Sequence, residues 1–390
     1  MFSLRRPPAH RLSRLFATSA ARSGRAVVYA VNGDPATVLR VRSVPALPPP
    51  PAGTLNLQVL LAPINPADLN VVEGVYPSKP RADDAVHLPT HSVSDPLDTG
   101  TVWVGGNEGV ARVSAVGPGV SGLGVGDWVI LTRPQAGTWA AERAVAAADV
   151  ARVPDAEALT EAQAATLTVN PPTAYNMLSE FIDLAPGDWV VQNGANSAVG
   201  QAVIQIAKAR GLNTLNLVRH RPEIDELKQR LHALGATQVL TYDELADKSV
   251  RDKIKAWTGS KAIRLGLNCV GGKDTALMAR LLGADAHLVS YGAMAKQPLS
   301  LPTSLFIFKN LKSHGFWQTR WYSMKSAEER AQLMQTLVNL IKENKLDTPA
   351  HEVLTISAAQ TDEEATEKLQ EAMVAMSEGR YGKKLLLKIE

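Results

Sequence analysis

The chain of 390 residues holds a single cysteine, Cys269, so no internal disulfide can form and the cysteine sets of structural zinc sites are missing. No apolar run reaches roughly 18 residues, so no membrane-spanning helix is expected. No carboxylate occurs before Asp34, while Arg5, Arg6, Arg11, Arg14, Arg22 and Arg25 all fall in that stretch. What is present is globular in character. Apolar residues make up 45% and charged residues 20%, which excludes disorder as the main state, and the length suggests about two domains.

Serine, alanine and arginine without acidic residues is the composition of a mitochondrial transit peptide, and residues 1–23 are assigned to one. A disordered basic tail has the same composition. Removing residues 1–23 takes five arginines, leaving 36 basic residues against 38 acidic, so the formal charge falls from +3 to −2. No basic stripe remains, which argues against a nucleic-acid-binding protein. A reducing mitochondrial matrix also suits a protein with one thiol.

From residue 25 to about 159 the pattern is short strands and turns. Strand-like runs cover 25–31, 54–61, 110–116 and 127–131, separated by clusters such as LPPPPAG (47–53) and GPGVSGLGVG (117–126). Residues 81–101 read as a polar, exposed insertion. A helix is expected over 161–178, broken or restarted at Pro171 and Pro172. Then strands at 189–192, 214–218, 238–240, 263–269 and 287–291 alternate with helices at 198–209, 222–234, 250–257 and 274–282. Such alternation predicts an α/β unit with a parallel sheet wound on both faces. The tail from about 327 is expected to return to the first domain with two helices and a last strand, 384–389.

The first of those strands runs into NGANSAVGQAVIQIAKA (193–209). Small residues at Gly194, Ala195, Ser197, Ala198 and Gly200 allow a tight turn, and the following helix offers its N-terminal N–H groups to an anion. The fit to a dinucleotide fingerprint is imperfect at Ala198; any tight strand-to-helix turn would also look this way. The second strand ends in Arg219, His220 and Arg221. No acidic residue for the ribose of NAD stands there, and guanidinium groups match the 2′-phosphate of NADPH. Two solvated arginines opening a helix are the plain alternative.

Several collinear runs resemble the medium-chain reductase superfamily, and within it the mitochondrial trans-2-enoyl-thioester reductases. They are INPADLNVVEGVYP (64–77), GGNEGVARVSAVG (105–117), GDWV (126–129), LTVNPPTAY (167–175), VQNGANSAVGQAVIQI (191–206), VRHRP (218–222), LNCVGGK (267–273), YGAMAKQP (291–298) and FKNLKSHGFW (308–317). The resemblance implies a GroES-like β-rich catalytic domain (24–172), a Rossmann cofactor domain (173–324) and a returning segment (325–390). It implies hydride transfer from NADPH to an enoyl-CoA or enoyl-acyl-carrier-protein, without a catalytic metal. Tyr76 would then be the proton donor; taken alone, a tyrosine in a Gly/Pro turn reads as a surface aromatic. A tyrosine, with pKa about 10, stays protonated at neutral pH and can donate as charge develops.

By the same resemblance Asn170 lies by the nicotinamide or its ribose, and Asn196, Ser197, Ala198 and Val199 line the pyrophosphate. Arg219, His220 and Arg221 hold the adenosine phosphate. Tyr291, Gly292, Ala293, Met294, Phe316, Trp317 and Gln318 border the nicotinamide half and the acyl pocket, and Lys383 contacts the cofactor. Thr168, where some relatives carry glycine, would limit acyl chain length. Cys269 reads as a small buried residue at a strand end. A homodimer paired through 281–291 and 299–308 is expected, with neither nucleic acid nor membrane insertion. A zinc-free NADPH:quinone oxidoreductase and a catalytically silent NADPH-binding protein are the competing readings.

Overall fold

A computed structural model describes residues 24–81, 86–88 and 101–390. The transit-peptide assignment lies outside those residues, as does most of the 81–101 insertion. Among the described residues no helix is long and apolar enough to cross a membrane.

The alternating half forms a six-stranded, all-parallel sheet. Numbered by chain order within the sheet, its strands run 3-2-1-4-5-6: Gln238–Thr241, Asn213–Val218, Trp189–Asn193, Ile263–Asn268, Leu282–Ser290 and Lys312–Gly315. This is the doubly wound dinucleotide-binding order, whose crevice lies where the order reverses, between the first and fourth strands. The strands are apolar because helices cover both faces; Trp189–Asn193 is buried at every position. The helix Ala198–Ala209 buries Val199, Ala202, Val203, Ile206 and Ala207, the i, i+3, i+4 spacing of one face, and also Ile204. Ser197 caps it by accepting the Gly200 N–H.

In the other half Thr54–Pro63 is the hub. It pairs antiparallel with Val110–Val116, Glu142–Ala146 and the C-terminal strand Lys384–Ile389, which pairs in parallel with His351–Ile356. The tail therefore does return to the first half, as the sequence suggests, though with a strand at His351–Ile356 that it did not reveal. The proline pair divides the expected helix into Glu161–Ala165 and Asn170–Met177, with the prolines in the first turn of the second, where a missing N–H costs nothing. One apolar cluster joins the halves, drawing on Leu60, Ile130, Ala164, Val190, Leu337 and Leu386.

One expectation is corrected. The fifth strand begins at Leu282 rather than 287, because the chain turns straight from the helix Gly272–Ala279 into the sheet. Its residues 287–290 lie between Ile263–Asn268 and Lys312–Gly315. Within the 299–308 segment the chain forms the helix Thr303–Lys309.

Candidate active site

A cleft of about 1340 Å³ runs between the sheet ends of the two halves. Its wall includes Tyr76, Asn170, Asn196, Ser197, Ala198, Val199, Tyr291, Gly292, Ala293, Met294, Phe316, Trp317, Gln318 and Lys383. These expected site residues, separated by up to 307 positions in the chain, are thus brought together. Arg219, His220 and Arg221 are outside its wall, at the end of the neighbouring strand Asn213–Val218.

Tyr76 sits on a short arm after the helix Pro66–Val72. The turn is closed by Gly74 and by the Val75 and Tyr76 N–H groups, both donating to Asn70 O. Across the cleft, Trp317 Nε1 donates to the Tyr76 hydroxyl oxygen at 2.8 Å, with the rings edge-to-face. Burial raises the Tyr76 pKa above 10, partly offset by the Trp317 hydrogen bond and reinforced by the nearby Asp68. A second link across the cleft is the Lys296–Glu73 pair at 4.0 Å.

Beneath Tyr76 lies a buried polar bed that sequence reasoning missed. Glu108, 1% exposed, accepts the Thr168 and Val169 N–H groups and the Asn65 amide. The Thr168 hydroxyl also donates to Glu108, at 3.2 Å. Asn65 accepts from Asn170 Nδ2 at 3.2 Å and from Lys384, whose ammonium also donates to Ile64 O. Asp68 accepts the Asn65 N–H at 2.7 Å. Burial pushes Asp68 up to about 7, and Glu108 up as well, against the pull of Lys384; burial lowers Lys384 against the pull of both carboxyls. The signal was present in INPAD and GGNEG. Gly106 has φ +90, and a Cβ there would lie 2.4 Å from the buried Trp139 ring, so that glycine seats the backbone that delivers Glu108. Lys383 lines the cleft but pairs with Glu352 at 3.2 Å; the lysine that reaches the bed is Lys384.

At the switch point Gly194 adopts φ +59, and a Cβ there would lie 2.4 Å from Cys269 Sγ. Ala198 has no positive φ, so its departure from glycine is harmless. The first and fourth strand ends are tied by Asn193 Nδ2 donating to Asn268 and Thr275, and by the Cys269 N–H donating to Asn193. Cys269 is buried, as expected of it. Tyr242, pushed up to about 12 by burial, accepts the Gly194 N–H. Next to this turn, Arg221 Nε is buried without a partner. Burial and the nearby Arg219 and Arg230 lower its pKa, with Glu223 opposing them. Three guanidinium groups repelling one another, one with an orphaned donor, fit the 2′-phosphate of NADPH. Arg230 was not foreseen, because it stands on the following helix Ile224–Leu234.

Residues 51–155 match the alcohol dehydrogenase GroES-like domain family and residues 198–337 the zinc-binding dehydrogenase family. The mitochondrial enoyl-[acyl-carrier-protein] reductase of Yarrowia lipolytica is 40% identical over 372 residues, covering 94% of this chain and 93% of that one. The chain belongs to the mitochondrial enoyl-[acyl-carrier-protein] reductases. Among solved structures, the complex of Etr1p with NADP and crotonyl-CoA aligns at TM-score 0.84 and 34% identity, over 94% of this chain and 99% of that one. The Etr1p/Etr2p heterodimer of Candida tropicalis aligns at 0.82 and 34%, with the same coverage. Zinc, which the second family's description implies, does not fit this enoyl reductase: among the described residues no group of three His, Cys, Asp or Glu side chains is arranged to hold a metal.

Proposed function

We propose that the chain reduces trans-2-enoyl thioesters with NADPH in mitochondria, with Tyr76 as the proton donor. The reading is carried by one observation, the 2.8 Å hydrogen bond from Trp317 Nε1 to the Tyr76 oxygen. An indole N–H only donates, so the tyrosine oxygen is engaged as an acceptor and its own proton stays free for a substrate. The raised pKa keeps that proton in place at neutral pH.

NADPH, when bound, supplies the hydride that reaches the substrate β-carbon. The electron pair displaced from the double bond then lies over the α-carbon and thioester oxygen. Tyr76 gives its proton to the α-carbon, becomes a phenolate stabilised by the Trp317 N–H, and is reprotonated from solvent at the cleft mouth. Asn196, Ser197, Ala198 and Val199 receive the pyrophosphate at the helix N-terminus, and Arg219, His220 and Arg221 hold the adenosine phosphate. Asn170 faces the nicotinamide end. Tyr291, Gly292, Ala293, Met294, Phe316, Trp317 and Gln318 exclude water around the reacting atoms, and Lys383 guards the rim. The acyl carrier is CoA or acyl-carrier-protein, and residues 1–23 are the import signal to the matrix. We divide the chain at 172/173 and 324/325, a partition supported by the strand pairing described above.

We also propose a homodimer, joined through the outer edge of Lys312–Gly315 and the helix Thr303–Lys309. Ile307 and Phe308, 67% and 81% exposed, are apolar surface beside an unpaired strand edge.

The test uses the chain from Ser23 onward, a short trans-2-enoyl-CoA and the absorbance of NADPH, with NADH and a quinone as controls. NADPH-specific turnover should fall about 100-fold or more in Tyr76→Phe, with NADPH affinity unchanged. Quinone turnover indifferent to Tyr76, without enoyl reduction, would indicate the quinone reductase; NADPH binding without either turnover would indicate a silent binding protein.

A further inference from the structure

We infer that Lys384 is a positioning residue that fixes, through Asn65, which end of the Asn170 amide faces the cleft. This rests on the reading that the nicotinamide half of NADPH binds there, and goes beyond it in saying what orients the site.

The argument is donor and acceptor accounting. An ammonium has donors only, so the Asn65 atom it meets must be the oxygen. The Asn65 NH₂ then points the other way, where Glu108 Oε2 accepts it at 2.9 Å. Glu108 Oε1 is already engaged by the Thr168 and Val169 N–H groups. Asn65 Oδ1 also receives Asn170, and only the Asn170 NH₂ can donate to it, at 3.2 Å. The Asn170 carbonyl oxygen is therefore the end left over. It has no partner among the described residues, and Asn170 lines the cleft. A flip of either amide would set donor against donor or acceptor against acceptor in a buried place, which is costly. Lys384 thus holds an acceptor toward the ligand. That acceptor suits the carboxamide NH₂ of the nicotinamide or a hydroxyl of the ribose attached to it, neither of which the adenine half of the cofactor carries.

The experiment compares dissociation constants for NADPH and for 2′,5′-ADP, which carries only the adenine half. Lys384→Gln is neutral and can present either end of its amide, so it imposes no direction. It should weaken NADPH about ten-fold, the worth of one hydrogen bond to a well-placed acceptor, and leave 2′,5′-ADP within about two-fold. Lys384→Arg, again a pure donor, should restore NADPH affinity. Glu108→Gln attacks the chain from the other end: its NH₂ would face the Asn65 NH₂ and should produce the same NADPH-selective loss. Either variant decides the matter where the other fails to fold. An unchanged ratio of the two constants in a folded variant overturns the inference, as does equal weakening of both ligands, which marks a general lesion. Wild-type protein that binds neither ligand would instead remove the functional reading beneath it.

Discussion

Gly194→Ala should damage the cofactor turn for two separable reasons. The first is backbone strain: φ +59 costs a residue with a Cβ about 1–2 kcal/mol. The second is overlap, since the new Cβ would lie 2.4 Å from Cys269 Sγ, and overpacking of this kind costs about 1–3 kcal/mol. The sum is about 2–5 kcal/mol, which for the cofactor half means a fall of roughly 5–15 °C in Tm. Cys269→Ala removes the sulfur and by itself should cost about 1 kcal/mol for lost packing. In the double variant the overlap is gone and only the strain remains, so it should be more stable than the sum of the singles by about 1–3 kcal/mol. Thermal unfolding without NADPH reads the cycle, because bound cofactor would mask it. A double variant additive to within about 0.5 kcal/mol would refute the contact between Gly194 and Cys269.

Other outcomes follow from the same site. Arg221→Ala should weaken NADPH about ten-fold or more while leaving NADH binding nearly unchanged, as titration of both nucleotides would reveal; equal losses would displace the phosphate from that arginine. The alkaline limb of enoyl turnover should lie above pH 10, since burial raises the Tyr76 pKa, and should vanish in Tyr76→Phe. Asp68 is raised from 3.8 to about 7 in the fold, so the fold binds the extra proton. Its stabilising contribution is complete below about pH 4 and is lost as pH rises through about 7; the Tm–pH curve of Asp68→Asn should lack that decline. Ile307→Asp with Phe308→Asp should halve the mass seen by sedimentation, and an unchanged mass would place the dimer contact elsewhere. Thr168→Gly should widen the range of acyl chain lengths turned over; an identical profile would take Thr168 out of the acyl pocket.

The cofactor half was the more legible from sequence. Its elements are long enough to express periodicity: the helix Ala198–Ala209, capped by Ser197, and the helix Val250–Trp257 were bounded correctly because an apolar face is a local signal. In the other half the runs at 54–61 and 110–116 were legible as strands, whereas His351–Ile356 and Glu142–Ala146 escaped, since only pairing with segments distant in the chain, Lys384–Ile389 and Thr54–Pro63, holds them. The polar bed is the sharpest case. Asn65, Glu108, Asn170 and Lys384 come from four separate runs, and although Asn170 was singled out, nothing local says that the four meet.

Sequence alone determined the parallel α/β half, and it singled out Arg219 and Arg221 at the end of the second strand and, through the family resemblance, Tyr76. These depend on local spacing and on side-chain chemistry that travels with the residue. Only the tertiary structure decided that Trp317 holds Tyr76, that Arg230 stands near Arg221, and that Lys384 rather than Lys383 reaches beneath the cleft. Those facts depend on which distant segments share a sheet edge, and on which face of a strand each side chain takes. Hydrogen-bond direction within the bed is decided there too, because a buried donor must find an acceptor wherever the fold supplies one.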